Sequence, residues 1–212
     1  MTTTTPIISI ILPVYNQGES LERAIQSVLK QTISNWQLII VNDGSTDNTK
    51  KIAKKYSEEN FQIIFLDLDH FGASSAINSG YKLSKGSYIT TLDADDYYHT
   101  NHLEANMSDL LKNTKIDLLM SKTEILGSPY VVDIEAPEKM IHLDECAIGG
   151  TFFVKYNVYS KVGGRPPIQF GSDYYFAKNV LKAGYTIFKV DRRTYVYDRT
   201  GNISITKNEE KR

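Results

Sequence analysis

The chain has 212 residues, 41% hydrophobic and 23% charged, with a formal net charge of −1. That is enough chain to bury one sizeable core, and the composition is that of a globular protein rather than a disordered one. The near-zero charge argues against a nucleic-acid or anionic-membrane binder, because both partners call for a clustered positive surface, so any anionic ligand has to be held locally.

At the N-terminus the apolar run Ile7 to Leu12 has no basic residue before it. It is too short for a transmembrane segment and wrong for a secretory signal, which leads us to expect a cytoplasmic protein. "IISIILPV" (7–14) reads as a strand buried on both faces, and "ESLERAIQSVLKQ" (19–31) as a helix with Leu21, Ile25, Val28 and Leu29 on one stripe. The alternation repeats as strand 36–41, helix 46–59, strand 61–66, helix 73–84 and strand 87–92. Successive β-α units of this kind predict an α/β fold, a mostly parallel sheet flanked by helices. Beyond residue 100 the pattern weakens into a helix over 101–113, an extended 116–126, an irregular or edge segment 127–145 and an aromatic, Gly-bounded 149–164. A helix over 172–184, a last strand 185–190 and a solvated, mobile tail from Lys207 complete the reading. The single cysteine, Cys146, rules out a disulfide framework and a multi-cysteine zinc site, and reads as a buried, inert thiol.

Open parallel sheets bind ligands beyond the carboxyl ends of their strands. Here those positions carry Tyr15 and Asn16, then Asn42-Asp43-Gly44-Ser45-Thr46-Asp47, then Asp67, Asp69 and His70, then Asp93, Asp95 and Asp96. One Asp at a strand end would be a turn or cap residue, but "LDADDYY" places three within four positions. Neighbouring carboxylates raise each other's pKa, so the cluster is explained by a divalent ion or a donor network. If the strand continued, Asp93 and Asp95 would point the same way and converge on one hard cation, with Asp96 facing elsewhere. An EF-hand is excluded because Tyr98 stands where its loop needs glycine. Neither a P-loop nor a G-x-G-x-x-G fingerprint occurs, so a bound diphosphate would depend on the metal.

The segments "ILPVYNQGESLERAIQSVLKQ", "LIIVNDGSTDNT", "ASSAINSGYKLSKGSYITTLDADD" and "GSDYYFAKNVLKAGY" resemble, in order and spacing, the inverting family 2 glycosyltransferases of GT-A fold. The likeness is strong from Ile7 to about Tyr98 and looser from about Gly149 to Ser204. The resemblance implies one glycosyltransferase domain, with residues 1–100 binding a nucleoside diphosphate sugar and 101–206 shaping the site of a saccharide or other hydroxyl acceptor. Pro13, Val14, Tyr15, Asn16 and Asp43 match the positions that hold the nucleotide base, and Asn78 lies in a further donor-binding motif. Asp43 would accept from an imide N–H, which uracil or thymine offers and cytosine does not. Asp93, Ala94 and Asp95 match the DxD element, where the two acids contact the ribose and a Mn2+ or Mg2+ cofactor bridging the diphosphate. Inverting transfer needs a general base for the acceptor hydroxyl, and Asp173 of "GSDYY" is the candidate, its rival role being a helix cap.

Three positions depart from the family pattern: Ile77 in place of Arg, Ser172 in place of Glu and Thr200 in place of His. Arg199, Arg192, Arg193 or Lys82 would have to supply the missing positive charge. The alternative reading is a binding module that keeps the nucleotide site without turnover. A sugar nucleotidyltransferase fits less well, because its Gly-rich basic N-terminal loop is missing.

Overall fold

A computed structural model describes residues 5–201. The chain runs β1 (Ile8–Val14), α1 (Gly18–Leu29), β2 (Trp36–Asp43), α2 (Thr49–Glu59), β3 (Ile63–Leu68), α3 (Ala73–Leu83), β4 (Tyr88–Thr91) and β5 (Tyr97–Tyr98). It continues through α4 (His102–Lys112), β6 (Leu118–Leu126), β7 (Tyr130–Val132), β8 (Met140–His142), β9 (Phe153–Lys155), α5 (Tyr156–Lys161), α6 (Ser172–Lys182) and β10 (Ile187–Asp198). An eight-stranded sheet has the order β3-β2-β1-β4-β9-β6-β10-β5, and β7 and β8 pair separately. β1 to β4 are mutually parallel, as is β6 with β10, whereas β9 runs antiparallel between β4 and β6.

Every residue of β1 and β2 is buried, because both sheet faces are covered. Ile8, Ile10, Leu12 and Val14 face Leu21, Ile25 and Val28 of α1, Ala53 and Tyr56 of α2, and Leu103, Met107 and Leu110 of α4. On the other face Ile11, Ile39 and Val41 meet Ala76 and Ile77 of α3, Val158 and Tyr159 of α5, and Phe176 and Val180 of α6. Pro13 is tolerated in this central strand for a local reason. Ile11 O accepts from Leu92 N at 3.0 Å, so Pro13, two residues on, faces the same side, where β4 has already ended at Thr91.

The chain steps from β1 to β2 to β3 in one direction and then returns through α3 to place β4 on the opposite side of β1. Such a reversal opens a crevice beyond the carboxyl ends of β1 and β4, which positions the site.

The second half corrects several expectations. The strand foreseen over 185–190 extends to Asp198 and carries two register shifts, between Val190 and Arg193 and between Arg193 and Tyr195. Segment 149–164 resolves into a 3-10 turn at Gly149–Thr151, β9 and α5. Cys146 is half-buried rather than buried, and burial still pushes its thiol up to about 11, outside the reactive range. The tail expected from Lys207 lies outside the described residues, as do 202–204.

Candidate active site

β4 ends at Thr91 and the chain folds at once into a turn in which Asp96 N donates to Asp93 O at 3.0 Å. The expectation that Asp93 and Asp95 share a side because the strand continues is therefore corrected: the turn, not strand alternation, brings them together. Burial, followed by the charge of Asp95, pushes the Asp93 carboxyl up to about 6, while Arg165 pulls it the other way. Asp95 is also raised, chiefly by burial, with the charge of Asp198 adding to it. Ala94 packs into the core and anchors the turn. Asp96 turns inward: it is fully buried and accepts from Tyr195 Oη at 2.6 Å and Asp198 N at 2.8 Å.

Among the described residues no group of three His, Cys, Asp or Glu side chains could hold a metal by itself. Two half-buried carboxylates, with Asp93 disfavoured as an anion, nonetheless fit a hard divalent cation, provided a ligand such as a diphosphate would supply further oxygens.

Across the crevice, Pro13 and Val14 are buried strand residues, so neither side chain is presented to a ligand. Tyr15 is exposed and its ring stacks on His70, centroids 4.1 Å apart. Asn16, at φ 50°, accepts Thr46 N at 2.8 Å through Oδ1 and donates its own N–H to Ser45 Oγ at 2.9 Å, tying the first two strand-end loops together. Asp43 is buried and gathers the loop before α3: Oδ1 accepts from Phe71 N and Oδ2 from Gly72 N, each at 2.9 Å, with His70 Nδ1 2.8 Å from Oδ2. Three of the about four lone-pair sites on the carboxylate are thus used, and the side chain is only 3% exposed. Gly44 is required beside it, since φ is 75° and a Cβ would approach His70 N to 2.8 Å. Asp67 belongs to β3 rather than to the site, bonded to Asn42 Nδ2 at 2.7 Å and Lys50 at 2.5 Å.

Asn78 is held by the protein itself: its Oδ1 accepts Arg165 N at 2.9 Å and Tyr159 Oη at 2.7 Å, and its Nδ2 donates to Arg165 O at 2.8 Å. Ile77 packs in the core beside it.

Asp173 lies in the first turn of α6 but does not cap it; Gly171, at φ 76°, is the cap residue. Its carboxylate turns away from the helix. Oδ2 accepts Gly149 N at 2.8 Å, and Oδ1 pairs with the buried Arg165 guanidinium. Gly149 O in turn accepts Thr91 Oγ1 at 3.0 Å, which ties Asp173 to the end of β4, next to the acid turn. The Asp173 side chain is still 36% exposed, so an incoming hydroxyl has a route to it. Both glycines of the 3-10 turn are needed for this packing: a Cβ on Gly149 would come within 2.6 Å of Asp173 Oδ1, and one on Gly150 within 2.3 Å of Tyr195 Oη.

The positive charges expected to compensate lie elsewhere. Arg192 pairs with Asp109 and Arg193 with Asp144, Arg199 holds Ser128 O and Tyr130 O, and Lys82 sits in the last turn of α3, at the far end of the sheet. The cations in contact with the acidic residues described above are Arg165, paired with Asp173, and Arg23. Arg23 bonds Asp95 O at 2.5 Å and Asp198 at 2.8 Å. Helical phase alone does not reveal Arg23. The Gly163-Gly164 pair, both with left-handed φ, marks the turn that delivers Arg165.

The family model described as "Glycosyl transferase family 2" matches residues 9–129. An Escherichia coli relative, "UDP-Glc:alpha-D-GlcNAc-diphosphoundecaprenol beta-1,3-glucosyltransferase WfgD", is 32% identical over 180 residues, 83% of this chain and 70% of the relative. Staphylococcus aureus TarS 1-349, solved with UDP-GlcNAc, superposes with a TM-score of 0.75 at 21% identity over 92% of this chain. The mannosyltransferase PcManGT of Pyrobaculum calidifontis, solved with GDP-Man and Mn2+, gives 0.71 at 18% identity over 92% of this chain. The chain spans 59% and 57% of the lengths of those two solved chains. Both likenesses concern the fold, which is that of GT-A glycosyltransferases. Among the described residues no helix is long and apolar enough to cross a membrane.

Proposed function

The chain belongs to glycosyltransferase family 2, and from that premise we propose that it moves a sugar from a uridine diphosphate sugar to an acceptor hydroxyl with inversion, aided by a divalent cation. The observation that carries this reading is the pairing of two unlike carboxylate sites on one crevice. One is the Asp93–Asp95 turn, which lacks an ion pair among the described residues; the other is Asp173, tied to the same strand end through Gly149.

On the donor side, the lone pair left on Asp43 suits the imide N–H of uracil, with Tyr15 and the strand-end backbone beside it. The donor named for the E. coli relative is also uridine-linked. Asp93 and Asp95 would hold Mn2+ or Mg2+, which when bound stabilises negative charge on the departing diphosphate as a Lewis acid. On the acceptor side, Asp173 takes the hydroxyl proton while the acceptor oxygen bonds to the anomeric carbon. The bond from that carbon to the diphosphate oxygen breaks on the opposite face, and its electron pair leaves with the diphosphate. We assign the acceptor half to residues 101–206, and a saccharide or other hydroxyl as the acceptor class.

The test is UDP release from UDP-glucose and UDP-GlcNAc, with water or saccharides as acceptor and Mn2+ present. The wild type releases UDP and Asp173→Asn does so about 10²- to 10⁴-fold more slowly. Release that survives that change unaltered would remove Asp173 from the mechanism. Binding of UDP with no release from any sugar nucleotide would favour a module without turnover.

A further inference from the structure

Arg165 is almost fully buried, at 2% exposure. A guanidinium is costly to bury, and its surroundings show what keeps it there. Gly163 and Gly164, at φ 85° and 71°, turn the chain into the sheet. Asn78 then grips residue 165 at both ends, accepting its N–H and donating to its carbonyl. The guanidinium lies 5.1 Å from the ring centroids of both Phe152 and Phe176. Its ion-pair partner is Asp173, yet its Nε is buried without a hydrogen-bond partner. Stability alone explains this poorly: a buried ion pair is usually no better than apolar side chains of the same volume, and this slot is aromatic.

We propose that Arg165 is the positioning residue of the base: a rigid guanidinium that fixes one oxygen of Asp173 while Gly149 N–H fixes the other, so that the remaining lone pairs face the acceptor. This rests on the assignment of Asp173 as base. A carboxylate held at two points has one orientation, whereas one held only by Gly149 N–H swings about that contact. Misplacing a proton acceptor by about 1 Å costs on the order of 10²-fold in rate. The cation-π slot and the Asn78 grip are what keep the guanidinium from following the carboxylate into solvent. Arg165 touches neither donor nor acceptor in this account; it positions through Asp173, and its charge also reaches Asp93.

The experiment is a double-variant cycle read as Mn2+-dependent UDP release from UDP-glucose with water as acceptor. Arg165→Met should lower kcat about 10²-fold with the donor KM within about twofold, and Arg165→Lys should recover part of the loss. In an Asp173→Asn background Arg165→Met should lower kcat no further, because its route through the base is gone; its charge also favours ionised Asp93, a separate effect read as Mn2+-dependent UDP affinity rather than kcat. If the two losses multiply, or if Arg165→Met raises KM and spares kcat, the proposal fails while the base assignment stands. Should Asp173→Asn alone keep wild-type turnover, the base assignment fails, and the proposal with it. Arg165→Lys carries the same cycle if the methionine variant does not fold.

Discussion

The two acidic sites of the crevice handle negative charge in opposite ways. In the turn after β4, Asp93 and Asp95 have no ion pair among the described residues and both carboxyls are raised, Asp93 to about 6. At the start of α6, Asp173 is paired with a buried guanidinium and a backbone N–H. On the proposed reading, a cation that a ligand brings along would complete the first site. The second is completed by the protein itself, as expected of a group that must be ionised and oriented before its substrate arrives. The third acid of the turn, Asp96, resembles neither, because Tyr195 and Asp198 N satisfy it inside the core.

Substitutions that separate the two sites break or sharpen this contrast. The largest effect is expected from Asp173→Asn, which should lower kcat about 10²- to 10⁴-fold and leave Mn2+-dependent UDP affinity within about twofold. A parallel fall in affinity would mean that the sites are not distinct. Asp93→Asn should do the reverse in a titration, weakening metal-dependent UDP binding by about tenfold or more, or ~1.4 kcal/mol. The same change should stabilise the ligand-free protein at neutral pH, raising its melting temperature by about 2–4 °C per kcal/mol relieved.

That gain has a defined pH window. The Asp93 carboxyl titrates at about 6 when folded against 3.8 ordinarily, so the folded state holds the extra proton between these values. Ligand-free stability from this group is full below pH 3.8, falls as pH rises to about 6 and is constant above. The total is at most about 3 kcal/mol by the usual 1.36 per unit. Melting curves of wild type and Asp93→Asn should therefore converge at pH 4 and separate at pH 7.5, which differential scanning calorimetry can follow. Bound metal ion and diphosphate require the ionised form, so UDP affinity should weaken as pH falls through about 6.

Smaller effects belong to the scaffold of the turn. Tyr195→Phe removes a donor to buried Asp96 and should cost about 1–3 kcal/mol in urea unfolding. Arg23→Ala removes a part-exposed pair with Asp198 and should cost less than about 1 kcal/mol.

The first hundred residues were legible in the sequence because β1 and β2 are buried on both faces and the helices carry clear stripes; α1, α3 and β4 fall within about two residues of expectation. The acid turn was legible as a concentration of charge. Its geometry was not, since nothing in "LDADD" says that the strand stops at Thr91 or that Asp96 points inward. The chain beyond residue 100 was harder for a definable reason. β9 has three residues and runs against its neighbours, and β10 changes register twice, so neither presents a sustained period. Long-range partners were the least legible feature. Asn78 holds Arg165 across 87 positions and Tyr195 reaches Asp96 across 99, separations at which a local pattern carries no information.

The measurement that tests the account most directly is calorimetric titration of UDP into wild type and Asp95→Asn, each with and without Mn2+. The account predicts binding that needs Mn2+ in the wild type and is weakened about tenfold or more in Asp95→Asn. Binding that is indifferent to Mn2+, or unchanged in Asp95→Asn, would contradict the assignment of the turn after β4 as the place where a cation and a diphosphate are held.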